Sequence, residues 1–284
     1  MTPGIHQLTM ADYLKLDALN SGVCHTILTQ SPYHAKFAPW EEASAEMDVG
    51  TAIHSALLEG VDNIAAIEAD DWRTKAAKEA REEARAAGKI PMLASNVSKV
   101  QAAVSAAKAY VDGGEIAGVF KDGVPEQTII WNEGKVLCKA RPDWLSGNHS
   151  MLLHVKTTAG SAEPGAWIRN QLGPMGYDVA AMFYERGHDT TVVFQGGASC
   201  RSVFLVIEQN APYGCSLVAL SPAMQDLASR KVERAIRIWQ QCQASGKFPC
   251  YPSRIAYAEP MNWQIQQEED VAVREHDSEL GGQA

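Results

Sequence analysis

The chain reads as a layered α/β or α+β domain whose sheet is covered by helices. Three observations predict it. Element signals run helices, antiparallel strands, helices, strands and helix, the order of a sheet covered by helices. The stretch Lys139 to Lys156, KARPDWLSGNHSMLLHVK, alternates apolar and charged residues with period 2. The 284 residues, 46% hydrophobic and 21% charged, suffice for one large core or two modest ones, and one is favoured. Residues 1–263 are therefore expected to form a single domain with a helical N-terminal part.

Each element has a local reason. Thr9 is a candidate N-cap for a helix through about Leu19, and Ser21 for one through about Thr29; Ser31-Pro32 opens a third. Met47 to Leu58 reads as a helix ended by Gly60, with Val49, Ala52, Ile53, Ala56 and Leu57 as its buried stripe and His54 at the stripe's edge. The charged, Ala-rich segment Arg73 to Ala87 reads as a solvated helix. Ser95 to Val111 is a further helix, ended at Gly113-Gly114. Strands are expected at Gln127 to Trp131, Lys135 to Leu145 and Met151 to Lys156, then helices at Ala162 to Gln171 and Met175 to Arg186. Strands at Ser202 to Glu208 and Ser216 to Leu220 precede a long helix from Ser221-Pro222 to about Ala244. The tail 264–284, QIQQEEDVAVREHDSELGGQA, has too few apolar groups to fold alone.

Composition excludes several classes. No apolar run reaches the roughly 18 residues of a membrane span, and MTPGIHQLTM carries no basic-then-apolar signal segment, so a soluble, cytoplasmic protein is expected. The six cysteines, Cys24, Cys138, Cys200, Cys215, Cys242 and Cys250, include no CxxC pair, which argues against a zinc ribbon or an iron–sulfur cluster. There is no GxSxG elbow and no GxxxxGK[ST] phosphate loop. A net charge of −9 speaks against binding nucleic acid through basic residues alone, but a bound cation can supply the attraction instead.

The chemistry concentrates in the alternating stretch. A turn at Gly147-Asn148 would put Cys138, Ala140, Pro142 and Trp144 on one face and Lys139, Arg141 and Asp143 on the other. The returning strand divides Met151, Leu153 and Val155 from His154 and Lys156, and pairing sets Asp143 roughly opposite His154. A carboxylate and an imidazole so placed can share a divalent cation, with an ammonium two residues along. The plainer reading is a solvated edge-strand face. His25, His34, His149 and His188 show no partner pattern and receive no role.

Six segments, in order, resemble the PD-(D/E)XK nuclease superfamily, and more narrowly its RecE-type (exonuclease VIII-like) phage and prophage exonucleases. They are LTQSPYHAKF around Ser31-Pro32, GTAIHSALLEG at Gly50 to Gly60, KARPDWL at Lys139 to Leu145, VKTT at Val155 to Thr158, GYDVAAMFY at Gly176 to Tyr184, and FLVIEQNAPYGCSLVAL at Phe204 to Leu220. The resemblance spans roughly residues 9 to 263. It implies an α/β, restriction-endonuclease-like core with a mixed central sheet flanked by helices, and a metal-dependent 5′→3′ exonuclease acting on double-stranded DNA ends in phage recombination, with Mg²⁺ or Mn²⁺. It also implies a ring-like homo-oligomer and a RecT-like annealing partner.

Carried over by position, the resemblance makes His54 a metal-binding histidine, Asp143 the first sheet carboxylate, Lys156 the lysine that orients the attacking water, and Tyr184 the tyrosine of the following helix. Lys139, Arg141 and Thr157 are the candidate DNA contacts. Two positions depart from the pattern: His154 stands where the family has an acid, and Ala180 where it usually has glutamine. A neutral imidazole brings no negative charge and suits magnesium poorly. Three readings follow: a softer ion held by His54, Asp143 and His154; a single-metal site aided by Glu126; or an inactive DNA-binding form of the fold.

Overall fold

Side-chain caps start the helices where the sequence places them. In the computed structural model, which describes residues 1–39, 45–58, 64–192 and 197–281, Thr9 accepts from the Asp12 amide, Ser31 from His34 and Ser221 from Met224. Each satisfies an amide with no partner inside the first turn. The elements are β1 (Gly4–His6), α1 (Met10–Lys15), α2 (Ser21–Thr29), α3 (Pro32–Phe37), α4 (Ala45–Leu58), β2 (Ile64–Ile67), α5 (Lys75–Ala86), β3 (Ile90–Leu93), α6 (Ala94–Asp112), β4 (Gly123–Pro125), β5 (Thr128–Glu133), β6 (Val136–Ala140), β7 (Trp144–Ser146), β8 (Met151–Thr158), α7 (Pro164–Trp167), α8 (Tyr177–Val192), β9 (Arg201–Glu208), β10 (Cys215–Ala219), α9 (Pro222–Ser245) and α10 (Asn262–Gly281). A π-helical turn, Ile168–Leu172, follows α7.

Several expectations need correction. The first helix stops at Lys15 because Leu19 is drawn away to bridge β6, its amide bonding to Leu137 O and its carbonyl accepting from Lys139 N. Asn20, not Ser21, caps α2. The Ala-rich helix α5 is not a free arm: it packs on β3 and buries Ala77 and Ala84. The expected stop of α4 at Gly60 lies outside the described residues.

The largest correction is to the strand 135–145. It divides at Arg141-Pro142-Asp143 into β6 and β7, which belong to different sheets. Pro142 has no amide to give a ladder, so the chain leaves one sheet there and joins the next. The three-stranded antiparallel sheet has the order β1-β5-β6, and the mixed five-stranded sheet the order β10-β9-β8-β7-β4, with only β8 and β9 parallel within it. A parallel pair, β2-β3, stands apart.

Period-2 alternation on the large sheet fills two layers. Leu153 and Val155 of β8, with Val203, Leu205 and Ile207 of β9, pack against Ala52, Ile53 and Leu57 of α4 and against α6. Phe204 and Val206 face the other way, onto Trp167, Ala181 and Ala228. A separate cluster joins β5 and β6 to α2, α8 and α9 through Trp131, Cys138, Phe183 and Trp239. Gly187 of α8 permits that contact, because a Cβ there would lie 2.5 Å from the Trp131 ring.

Residues Met1–Cys250 make one unit and Tyr251–Ala284 a second. The expected boundary after residue 263 falls inside α10, and the polar tail is helical through Gly281. Its Gln, Glu, Ala and Arg residues are good helix formers, and the described side chains of α10 are exposed.

Candidate metal centre and cleft

Four elements deliver polar side chains to one cleft of about 880 Å³. α4 brings His54 close to β8 because Gly50, one turn earlier, has no side chain; a Cβ there would stand 2.9 Å from Thr157 Oγ1. Glu126, between β4 and β5, has the left-handed backbone angle φ 55°, and its amide donates to Asp143 O at 3.1 Å. Such a backbone in a non-glycine residue is strained and persists where its surroundings hold it. Here Arg141 holds the side chain, Nε donating to Glu126 Oε2 at 2.5 Å. Asp143 precedes β7 and is fixed by the Val155 amide, which donates to Oδ2 at 2.7 Å.

These placements converge. His54 Nε2 lies 3.3 Å from Asp143 Oδ1 and 3.4 Å from Glu126 Oε1. One ligand atom from each of the three lies within 4.8 Å of the others. Lys156 Nζ stands 3.3 Å from Asp143 Oδ2 and 5.5 Å from the centre of the Tyr177 ring. One imidazole nitrogen and two carboxylates facing an open cleft form a donor set that fits a divalent cation, the carboxylates suiting Mg²⁺ or Mn²⁺ and the imidazole tilting the choice toward Mn²⁺.

The titrations follow from the packing. Burial favours a neutral Asp143, but Lys156 and His54 outweigh it and hold the carboxyl far below the usual range. Burial likewise opposes charge on His54 and Lys156, and the facing carboxylates raise both pKa values nonetheless. Burial raises Glu126, against its hydrogen bond from Arg141. A proton on His54 Nε2 would face both carboxylates, and an ion held there would compete with it.

The other expected residues divide. Tyr184, Arg141 and Thr157 line the cleft. Arg141, however, is committed to Glu126, Leu8 O and Thr128 Oγ1, and Thr157 Oγ1 accepts from Gln209 Nε2. Burial pushes the Tyr184 hydroxyl pKa up, against a hydrogen bond with Ser21. Lys139, the third expected DNA contact, is buried. It is 4% exposed and its Nζ donates to Tyr13 O at 2.8 Å and Leu16 O at 2.7 Å, neutralising the negative end of α1.

His154 does not join the cluster either. The register Trp144 with Leu153 sets Asp143 one step past the last pair, across from His154, as expected. Yet the imidazole is 2% exposed, lies between the Tyr184 and Phe204 rings, and meets Ser202 Oγ at 3.2 Å. Tyr13 and Tyr177, which also line the cleft, received no site role from the sequence; only their tertiary neighbours reveal them.

The mixed sheet between helical layers, with Pro142-Asp143 entering β7 and Lys156 on the adjacent strand, defines a PD-(D/E)XK-type fold. The model of the family described as PDDEXK-like domain of unknown function (DUF3799) matches residues 30–260, and the chain belongs to that family. No curated protein matches it. Among solved structures, a protein named "Putative exonuclease" from Eubacterium rectale shares the fold: the TM-score is 0.55 at 9% identity, over 92% of this chain and 98% of that one. A second, SSO0001, is 13% identical over 70% of this chain and 88% of its own, with a TM-score of 0.27, too low to support any argument. No helix among the described residues is long and apolar enough to cross a membrane.

Proposed function

We propose that this chain is a metal-dependent nuclease that hydrolyses DNA phosphodiester bonds from double-stranded ends in the 5′→3′ direction, using Glu126 in place of the acid that His154 displaces. The observation that carries the reading is the convergence of His54, Glu126 and Asp143 beside Lys156 in one open cleft. Bound there, Mg²⁺ or Mn²⁺ would lower the pKa of a coordinated water and neutralise charge growing on the phosphate. His54, Glu126 and Asp143 hold the ion. Lys156, charged and anchored by Asp143, directs its remaining N–H groups toward the nucleophile or a phosphate oxygen. Arg141 keeps Glu126 aimed, and Tyr184 forms one wall.

The finer parts of the proposal rest on the resemblance of the motifs to RecE-type exonucleases: a role in phage recombination, a ring-like homo-oligomer and a RecT-like annealing partner. A second reading is favoured by one observation: His154 lies against Ser202 and contributes no atom to the His54, Glu126 and Asp143 group. In that reading the chain is a weakened or inactive nuclease fold that grips DNA.

The test is digestion of a linear duplex, labelled at either the 5′ or the 3′ end, with Mg²⁺ or Mn²⁺. Cleavage that begins at 5′ ends and is lost in Lys156→Ala and Asp143→Asn supports the proposal. A wild-type chain that stays silent with both ions while His154→Asp cuts would overturn it in favour of the binding protein.

A further inference from the structure

A second group of ligand-type side chains lies outside the cleft. His188 and Asp189, near the end of α8, and Cys200, immediately before β9, each offer one ligand atom within 4.8 Å of the other two. His188 Nδ1 lies 3.2 Å from Asp189 Oδ1, and the Cys200 amide donates to that same oxygen at 3.3 Å. The other ring nitrogen, His188 Nε2, lies 3.2 Å from Nδ1 of His149, which sits in the turn between β7 and β8.

We infer that His188 Nδ1, Asp189 and Cys200 Sγ form a zinc-type cation site that clamps the end of α8 to the start of β9, with His149 as the orienting partner. The donor set decides the class of ion. A nitrogen, a thiolate sulfur and a carboxylate oxygen suit Zn²⁺ or Co²⁺, whereas Mg²⁺ avoids sulfur. A ligating histidine typically engages its second nitrogen with a fixed acceptor, and His149 Nδ1 supplies one. Burial shields the site, His188 being 0% and Cys200 7% exposed, while the Asp189 side chain is 37% exposed and gives an ion its approach. The side chains come from segments that carry site residues: His188 and Asp189 lie on α8, which bears Tyr184; Cys200 precedes β9, which pairs with the strand of Lys156; and His149 follows β7, which begins after Asp143. The clamp would brace that scaffold without touching the cleft.

Cobalt titration of the full-length chain tests this. One equivalent of Co²⁺ should produce a thiolate-to-cobalt charge-transfer band in the near ultraviolet, and Zn²⁺ should bleach it. The band should survive in the double variant Glu126→Gln/Asp143→Asn, which separates this site from the cleft, and vanish in Cys200→Ser. Asp189→Asn, at a partly exposed position, should fold and weaken Co²⁺ binding by about tenfold or more. The absence of a band in the wild type, its persistence in Cys200→Ser, or unchanged affinity in Asp189→Asn would overturn the assignment.

Discussion

Glu126 Oε1 stands 3.4 Å from His54 Nε2, on a residue whose backbone adopts φ 55°. The carboxylate therefore reaches the cluster from a strained connection between β4 and β5, not from the strand position where a nuclease of this fold carries its acid. Glu126→Gln keeps the size and an acceptor for Arg141 but removes the charge. Cleavage should fall about a hundredfold, the scale of losing one preorganised electrostatic group. A rate within a factor of about three of wild type would remove Glu126 from the site.

His154 should behave as a structural residue. Burial, with a further push from Lys156 and against the pull of Asp143, lowers its pKa to about 4 from an ordinary 6.5. The unfolded chain thus binds a proton between those values that the folded chain does not. Stability is complete above about pH 6.5 and declines as pH falls toward 4, by up to about 3 kcal/mol from this group. His154→Gln removes the titration. The difference in unfolding free energy between wild type and His154→Gln, from urea titrations at pH 7 and pH 4, should shrink by that amount; a pH-independent difference would contradict the assignment.

Lys139 offers a test of structure against recognition. Lys139→Met leaves the Tyr13 and Leu16 carbonyls at the end of α1 without their cation and should cost about 1–3 kcal/mol, read as a lower urea midpoint. The slope of DNA affinity against salt should be unchanged, because no phosphate contact is lost. A shallower slope would return Lys139 to the DNA surface.

The close approach of α4 to β8 predicts coupling between Gly50 and Thr157. Gly50→Ala pushes a methyl against Thr157 Oγ1, shifting His54 and weakening Mn²⁺ binding, with a stability cost of about 1 kcal/mol. Thr157→Ala in the same chain should restore most of both losses. A double-mutant cycle with no interaction energy would mean that the two elements do not meet as described.

The sequence was most readable where a short-range rule acts alone. Thr9, Ser31 and Ser221 cap helices because a hydroxyl before a helical run has one local use, and β8 shows its two faces because Leu153 and Val155 alternate with His154 and Lys156. The break at Pro142 was masked by that same periodicity: Cys138, Ala140 and Trp144 are all buried, but in different cores, so one pattern ran through two strands. The residues that the motifs single out, His54, Asp143 and Lys156, line one cleft, whereas Lys139 and His154 are buried on other partners. Both are polar residues satisfied at long range, by α1 carbonyls and by Ser202, which no local spacing encodes. Glu126 could be suspected from its position at the head of a strand, but nothing in a glutamate signals a left-handed backbone.

The central claim is that His54, Glu126 and Asp143 together hold one divalent cation. Anomalous diffraction from crystals soaked in Mn²⁺ tests it most directly. The account predicts a single strong peak in the cleft within bonding distance of His54 Nε2 and of both carboxylates, with Lys156 beside it and His154 still on Ser202. An ion bound by His154, or a cleft without a peak at saturating Mn²⁺, would contradict it.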